Sequence, residues 1–285
     1  MKKVMDGQLS IFDIVFDREA KAPIAEPSVA EIIEPVRTER RDTELCPYKI
    51  PTVNEIIKRI DSAAYKVDRG QLIADVFECG AISISNAVDF VPQMKREERY
   101  RDIMNKYRPE ERELLSEIFT QIYMLLSSVV YDNGHFSDNG HFSDYLGELF
   151  MRCNQGNSKA GQYFTPYHIS HFMAKASIGD EVVKKAEDDG ILTVCDPCCG
   201  GGGMMIAALD VLKNDYNVNY ARHCFMECSD IDLRCVHMTY LQLALAGVPA
   251  IVKHQNSLSR ELWSVWKTPA YIFQYTRFCE YENYA

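Results

Sequence analysis

A chain of 285 residues, 47% hydrophobic and 25% charged, has the make-up of a water-soluble globular protein with room for one large domain or two modest ones. Its longest apolar runs, such as Ile122–Leu126, are too short to cross a bilayer, and Asp6 and Asp13 interrupt the N-terminus before a signal peptide could develop, so no membrane span and a cytoplasmic location are expected. A net charge of −10 excludes a protein that grips nucleic acid with its whole surface; a local patch or a partner subunit would have to supply the phosphate contacts.

Residues 1–48 read as a flexible tail and linker, because Pro23, Pro27, Pro35 and Pro47 punctuate a charged stretch that can bury little. Residues 49–143 read as a mainly helical region. Val53, Ile56, Ile57, Ile60 and Ala64 recur at helical spacing. A second helix begins at Pro109, followed by acids that suit a helix N-terminus. Its stripe from Leu114 to Leu126 is core packing. The segment from Gln71 to Asp89 reads either as one helix or as a helix broken at Gly80. The basic clusters Arg37–Arg41 and Lys95–Arg101, both mixed with glutamate, read as solvated helix faces. Residues 133–138 and 139–144 repeat the hexapeptide NGHFSD, which reads as a lengthened, solvated loop. His135, His141, Asp138 and Asp144 within it are taken as loop residues rather than metal ligands.

From residue 144 the pattern becomes α/β, and 144–285 reads as a second domain. A helix DYLGELFMRC leads into a polar turn and then a helix over His168–Ser177. Strands are expected at Ile191–Cys195, His223–Cys228 and Ala250–His254. Helices over Met204–Lys213 and Leu233–Ala246 lie between them. Strands alternating with helices imply a parallel sheet. Of the ten cysteines, Cys195, Cys198, Cys224 and Cys228 have metal-like spacing. They are read as reduced thiols, with no metal expected, since the pairs fall in apolar strands and among glycines.

Residues 191–204, ILTVCDPCCGGGGM, form a glycine-rich turn between a strand and a helix, the context of a nucleoside-binding turn. Gly200 to Gly203 let the backbone approach a ligand closely. Asp196 falls at the carboxyl end of the strand, where open α/β sheets place their ligands. The turn lacks the Gly-Lys-Ser/Thr of a phosphate-binding loop.

The segment DPCCGGGGM resembles the DPACGSGG-type turn of the N-6 adenine-specific DNA methylase family, in particular the modification subunit of type I restriction systems. GQYFTP (Gly161–Pro166) resembles that family's GQFFTP segment, and DYLGELF (Asp144–Phe150) its D-x-LG-x-x-[YF] segment, in the same order. The resemblance covers about residues 144–258. It implies a Rossmann-like methyltransferase domain that uses S-adenosylmethionine to methylate the 6-amino group of adenine in DNA, together with a specificity subunit. Carried over by position, Tyr163, Thr165 and Pro166 enter the cofactor pocket, and Asp196, Gly200 and Gly202 lie near the methionine portion. Asp230 accepts from the ribose hydroxyls, with Glu227 and Asp232 as fallbacks. Asn256 stands where an aspartate usually meets the adenine amine. Taken without the resemblance, Asp230 or Asp232 would simply cap the next helix. Gln8-Leu9-Ser10-Ile11-Phe12 resembles the pentapeptide by which bacterial DNA-processing proteins dock on the sliding clamp; the alternative is a short amphipathic start to the fold.

The family's [ND]-P-P-[YFW] tetrapeptide holds the target amine and stacks on the flipped base. This chain has no NPPY or NPPF. At the expected distance stands TPAY, which makes Thr268, Pro269 and Tyr271 the degenerate catalytic candidates. Only fourteen residues follow Tyr271, so the domain is expected to be short at its C-terminus, as a natural short relative or a truncated copy. Two functions therefore stand: a DNA adenine methyltransferase, or a cofactor-binding accessory protein with weak or no activity. A protein or RNA methyltransferase fits the GQYFTP and DYLGELF segments less well.

Overall fold

The computed structural model describes residues 49–63, 67–132, 135–136, 140–154 and 164–278. These lie in one of two compact units, Leu45–Ala285; Gln8–Phe12, Arg37–Arg41 and Tyr163 fall outside the described residues.

Four helices come first: α1 (Val53–Ala63), α2 (Arg69–Asn86), α3 (Gln93–Met104) and α4 (Pro109–Ser127). Local chemistry fixes their starts. Thr52 and Glu55 satisfy each other's backbone N–H groups, a capping box that opens α1. Asp68 accepts from the Gln71 N–H to open α2. Glu111 reaches back to the Arg108 N–H, and Pro109 takes the first-turn position of α4. Gly80 does not break α2. It lets α4 lie close, since a Cβ there would stand 2.2 Å from the Phe119 ring. The cluster Lys95–Arg101 on α3 departs from a solvated face at one residue, because Arg96 is buried.

A two-stranded hairpin, β1 (Tyr131–Asp132) with β2 (His135–Phe136), follows. Next come α5 (Tyr145–Cys153), α6 (Tyr167–Ser177) and α7 (Asp180–Asp189). The four-stranded sheet is built from β3 (Leu192–Asp196), β4 (Cys224–Asp230), β5 (Ala250–Asn256) and β6 (Glu261–Lys267), adjacent in that order. The helix α8 (Gly203–Asp210), a π-helical turn (Val211–Asp215) and α9 (Tyr220–His223) carry the chain from β3 to β4. The helix α10 (Leu233–Leu245) carries it from β4 to β5. The pairs β3–β4 and β4–β5 are parallel, as the sequence pattern implies. The last pair is not: β5–β6 is antiparallel. The apolar stretch LWSVW is an edge strand running back towards the start of β5. It is followed by α11 (Pro269–Phe273) and α12 (Tyr275–Phe278).

Strand alternation divides the core between the two faces of the sheet. Met226, Cys228 and Val252 point into the main core, which also takes in α1, α2, α4, α5, α8 and α10. Phe225 and Ile251 point the other way, onto Tyr271 and Phe278. From Cys235 to Leu243 every residue of α10 is buried, as befits a helix packed on all sides. The described part of the second NGHFSD copy is a correction to the solvated-loop reading. Phe142 is 5% and Asp144 8% exposed. The buried Asp210 draws this segment onto α8 by accepting from the Phe142 N–H at 2.7 Å.

Candidate functional site

Three strand ends, Asp196 of β3, Asp230 of β4 and Asn256 of β5, lie at the carboxyl edge of the sheet. The glycine turn runs along this edge between β3 and α8. Asp196 closes it at the start, accepting from the Cys198 N–H at 3.0 Å. The Cys199 N–H bonds to the Ser229 carbonyl at 3.0 Å, so the turn is fastened to β4. Gly202 has φ +91° at the entry to α8, a left-handed backbone, and a Cβ there would stand 3.0 Å from Thr239 Oγ1. Both reasons call for glycine.

Side chains from α10 and β4 complete the fastening. The Gly200 N–H donates to Asp230 Oδ2 at 2.9 Å, and the Asp232 N–H to Asp230 Oδ1 at 2.8 Å. Thr239 Oγ1 donates to the Gly200 carbonyl at 2.9 Å. Gln242 Nε2 donates to the Gly201 carbonyl at 2.7 Å and to Asp144 Oδ1 at 2.9 Å. Asp144 opens α5, accepting from the Gly147 N–H at 2.9 Å. Its burial raises its pKa, with the bonds from Gln242 and Gly147 opposing that shift. The D-x-LG segment thus reaches the glycine turn through Gln242.

A cavity of ≈ 170 Å³ opens here. Its wall includes Phe164 and Thr165, Asp144, Asp196, the turn from Cys198 to Gly201, and Ser170. This is less than the ~300 Å³ of a site that encloses a whole drug-sized ligand.

The structure brings together Thr165, Asp196 and Gly200 of the expected site residues at this cavity, with Gly202 and Pro166 next to wall residues in the chain. Asp230 is beside it, bonded to Gly200. The two acidic alternatives have other partners. Asp232 caps α10 through the Arg234 N–H, and Glu227 is buried mid-strand in an ion pair with Lys253. Asn256 is at the end of β5, but its side-chain carbonyl accepts from the N–H groups of Leu258 and Ser259.

Thr268, Pro269 and Tyr271 are not brought to the turn. Thr268 is fully buried and accepts from the Ala250 N–H at 2.9 Å, so the TPAY segment sits at the amino end of β5. The seven residues of β5 separate that end from Asn256, six steps of ~3.3 Å, or about 20 Å. The reason is direction. An antiparallel β6 returns the chain to the edge opposite the one it left. Tyr271 is wholly enclosed against Phe225, with ring centroids 5.8 Å apart, and works as core.

Among the described residues no group of three or more His, Cys, Asp or Glu side chains is placed to hold an ion. Cys199 is buried under the turn, and the Cys199 thiol beside Cys228, together with burial, pushes the Cys228 thiol well above its ordinary pKa. Cys195 is exposed, on the less buried of the two alternating faces of β3.

Residue-type reasoning passes over Thr239, Gln242 and Ser170, and gives Asp144 no role of its own. A signal for the first two was present. They are polar residues three apart on a largely apolar helix, hence on one face of it.

Residues 138–279 match the family described as N-6 DNA Methylase. Over 126 residues the chain is 25% identical to the type I restriction enzyme EcoEI methylase subunit of Escherichia coli, covering 41% of this chain and 23% of that protein. The chain therefore spans less than a quarter of that relative's length. Among solved structures, the type I restriction-modification system methyltransferase subunit from Streptococcus thermophilus aligns with a TM-score of 0.37 at 15% identity, over 74% of this chain and 41% of that one.

Proposed function

We propose that this chain, whose residues 138–279 belong to the N-6 DNA methylase family, binds S-adenosylmethionine at the glycine turn and serves in methylation of the 6-amino group of adenine in DNA. The observation that carries this reading is the meeting of two distant segments at one cavity: Phe164 and Thr165 of GQYFTP, and Asp196 to Gly201 of DPCCGG. The parallel β3–β4–β5 order with intervening helices supports reading the domain as Rossmann-like. The residues suit the cofactor. An uncapped helix N-terminus, an unpartnered buried hydroxyl and open strand tips are all polar features in want of a ligand.

In this reading Asp230 has two tasks. Its bonds to Gly200 and Asp232 fix the turn, and the remaining lone pairs of its oxygens receive the ribose hydroxyls. Thr165, Pro166 and Tyr163 form the lid side of the pocket. When bound, the cofactor supplies an electrophilic methyl group. A specificity subunit supplies DNA contacts that the acidic chain lacks, Gln8–Phe12 engages a sliding clamp, and the work is done in the cytoplasm.

A second reading is favoured by one observation. TPAY lies at the amino edge of the sheet and cannot present a target base to the cavity. The chain would then be a cofactor-binding accessory protein. The test is to incubate the purified chain, with and without a specificity subunit, with methyl-labelled cofactor and adenine-containing DNA. Label in adenine supports transfer. Cofactor binding with no label under any condition supports the accessory reading. Asp230→Ala is expected to weaken cofactor binding by about tenfold or more. Undiminished binding would remove Asp230 from the site.

A further inference from the structure

Two thiols flank the point where β3 passes into the glycine turn: Cys195 and Cys198 of the segment CDPC. Both are exposed, whereas the other six cysteines among the described residues are buried. Two cysteines at this spacing, on the first strand of a β–α–β unit, form the pattern of a dithiol that opens and closes. Cys198 belongs to the cavity wall together with Asp196 and Cys199; Cys195 does not.

Strand pairing brings the segment round to the face that bears Cys195. Cys195 is in register with Glu227 of β4 and shares its face of the sheet, as does Ser229 two residues on. Ser229 Oγ donates to the Pro197 carbonyl at 3.2 Å, and Ser257 Oγ donates to the same carbonyl at 2.5 Å. The chain therefore leaves β3 on the Cys195 side, before Cys199 turns inward beneath the turn. The bond from the Cys198 N–H to Asp196 Oδ1 folds the segment back on itself. Four-residue turns hold their end Cα atoms within ~7 Å, against the ~4.4–6.8 Å that a disulfide spans. The two thiols differ in reactivity. Partial burial of its sulfur, and then the Glu227 carboxylate, raise the Cys195 thiol above its ordinary pKa, with Lys253 opposing. Its thiolate forms less readily, so the first reaction falls to Cys198 in the cavity wall.

We propose that Cys195 and Cys198 are a peroxide-sensitive modification site: they close into a reversible disulfide, and the closed form loses its hold on the cofactor. The Cys198 thiol attacks one oxygen of hydrogen peroxide. The O–O bond breaks, the sulfur becomes a sulfenic acid, and one water leaves. The Cys195 thiol then displaces the sulfenic hydroxyl. An S–S bond forms, and a second water leaves with the Cys195 proton. The two sulfurs have lost two electrons in all, and the peroxide has gained them. In reducing surroundings the pair stays open. Closure draws Cys198 out of the cavity wall towards Cys195. It also pulls on the adjoining Cys199 and Gly200, whose N–H bonds to Ser229 and Asp230 set the turn. This rests on reading the cavity as the cofactor site, and adds oxidation as its control.

The test uses the full chain, reduced and then treated with an equivalent of hydrogen peroxide. Peptide mass spectrometry after alkylation maps the thiols, and calorimetry measures binding of S-adenosylhomocysteine before and after. In the oxidised wild type the peptide holding Cys195 and Cys198 should lack two hydrogens and resist alkylation. Binding should fall by about tenfold or more and return with dithiothreitol. Cys195→Ser changes a residue outside the cavity wall, so its reduced form should bind within about twofold of the wild type. Treated with peroxide, it should form no such disulfide and carry instead a sulfenic acid at Cys198 that dimedone tags. Cys198 left free in the wild type, or paired with another cysteine such as Cys199, overturns the thiol pair. A Cys195–Cys198 disulfide with undiminished binding overturns the control of the site. Both results leave the cofactor reading intact. No binding by the reduced wild type overturns the cofactor reading and the control with it, while the disulfide map judges the thiol pair on its own.

Discussion

At His237 of α10, wholly enclosed, the ring stands edge-on to Trp266 with centroids 4.8 Å apart. Burial lowers its pKa from 6.5 to about 4, with Glu78 opposing and His254, Arg96 and Arg99 reinforcing. The sign follows. Between these two values the unfolded chain holds a proton that the folded chain does not, so stability is lost as pH falls from about 6.5 through about 4. The full effect is on the order of 3 kcal/mol. Urea denaturation at pH 7 and pH 4.5 should show this loss in the wild type and a smaller one in His237→Gln. An equal loss in both assigns the acid sensitivity elsewhere. At this scale the places of Asp196 and Asp230, at strand ends beside the glycine turn, were legible in the sequence, because strand pattern and glycine punctuation are local. Ser170 was not. A serine inside a helix carries no mark of whether its hydroxyl reaches water, a backbone carbonyl or a cavity.

At the scale of elements, one side chain seats three parts of the cavity wall. Asp210 ends α8 and is 3% exposed. It accepts from the Phe142 N–H and from Asn214 Nδ2 at 2.8 Å, and meets His171 Nε2 at 3.0 Å and His141 Nδ1 at 3.3 Å. The segment before Asp144 and the helix bearing Ser170 are thereby held on α8. Asp210→Ala strands these donors, and should cost about 3 kcal/mol in chemical denaturation, with Asp210→Asn costing less. A cost below about 1 kcal/mol would mean that packing alone seats these elements. Local signals placed most helices and the three parallel strands within a few residues. They did not place β6. The stretch LWSVW has no marker for direction, and pairing with β5 decides it. That decision moves TPAY to the far edge of the sheet.

On the scale of the whole molecule, the helices of residues 53–127 share one core with α10 and the sheet. Arg96 of α3 is a tie between them. It donates to the Val265 carbonyl of β6 at 2.8 Å, pairs with Asp89 at 3.2 Å, bonds to Ser85, and stacks on Trp266 with its guanidinium carbon 3.9 Å from the ring centre. We therefore expect one cooperative transition. Both tryptophans lie on β6, so fluorescence follows the sheet edge while far-UV circular dichroism follows the helices. The two curves should coincide. Arg96→Ala should shift both together by about 3 kcal/mol, since it strips a buried charge from its partners. Two separated transitions would show the helical region and the sheet folding independently.

By itself the sequence determined most of the elements and the position of the glycine turn between β3 and α8. Helical spacing, strand alternation and glycine punctuation are local properties, and DPCCGGGGM with GQYFTP is a local record of chemistry. Only the tertiary structure decided which polar groups are enclosed together and which edge of the sheet each segment reaches. Asp144, Ser170 and Gln242 come from three separate helices, and their burial without solvent exists only once those helices pack. Thr268 could be read as a worn catalytic residue until the hydrogen bond to Ala250 placed it at the amino edge. Strand direction is set by long-range pairing, and a local pattern cannot encode it.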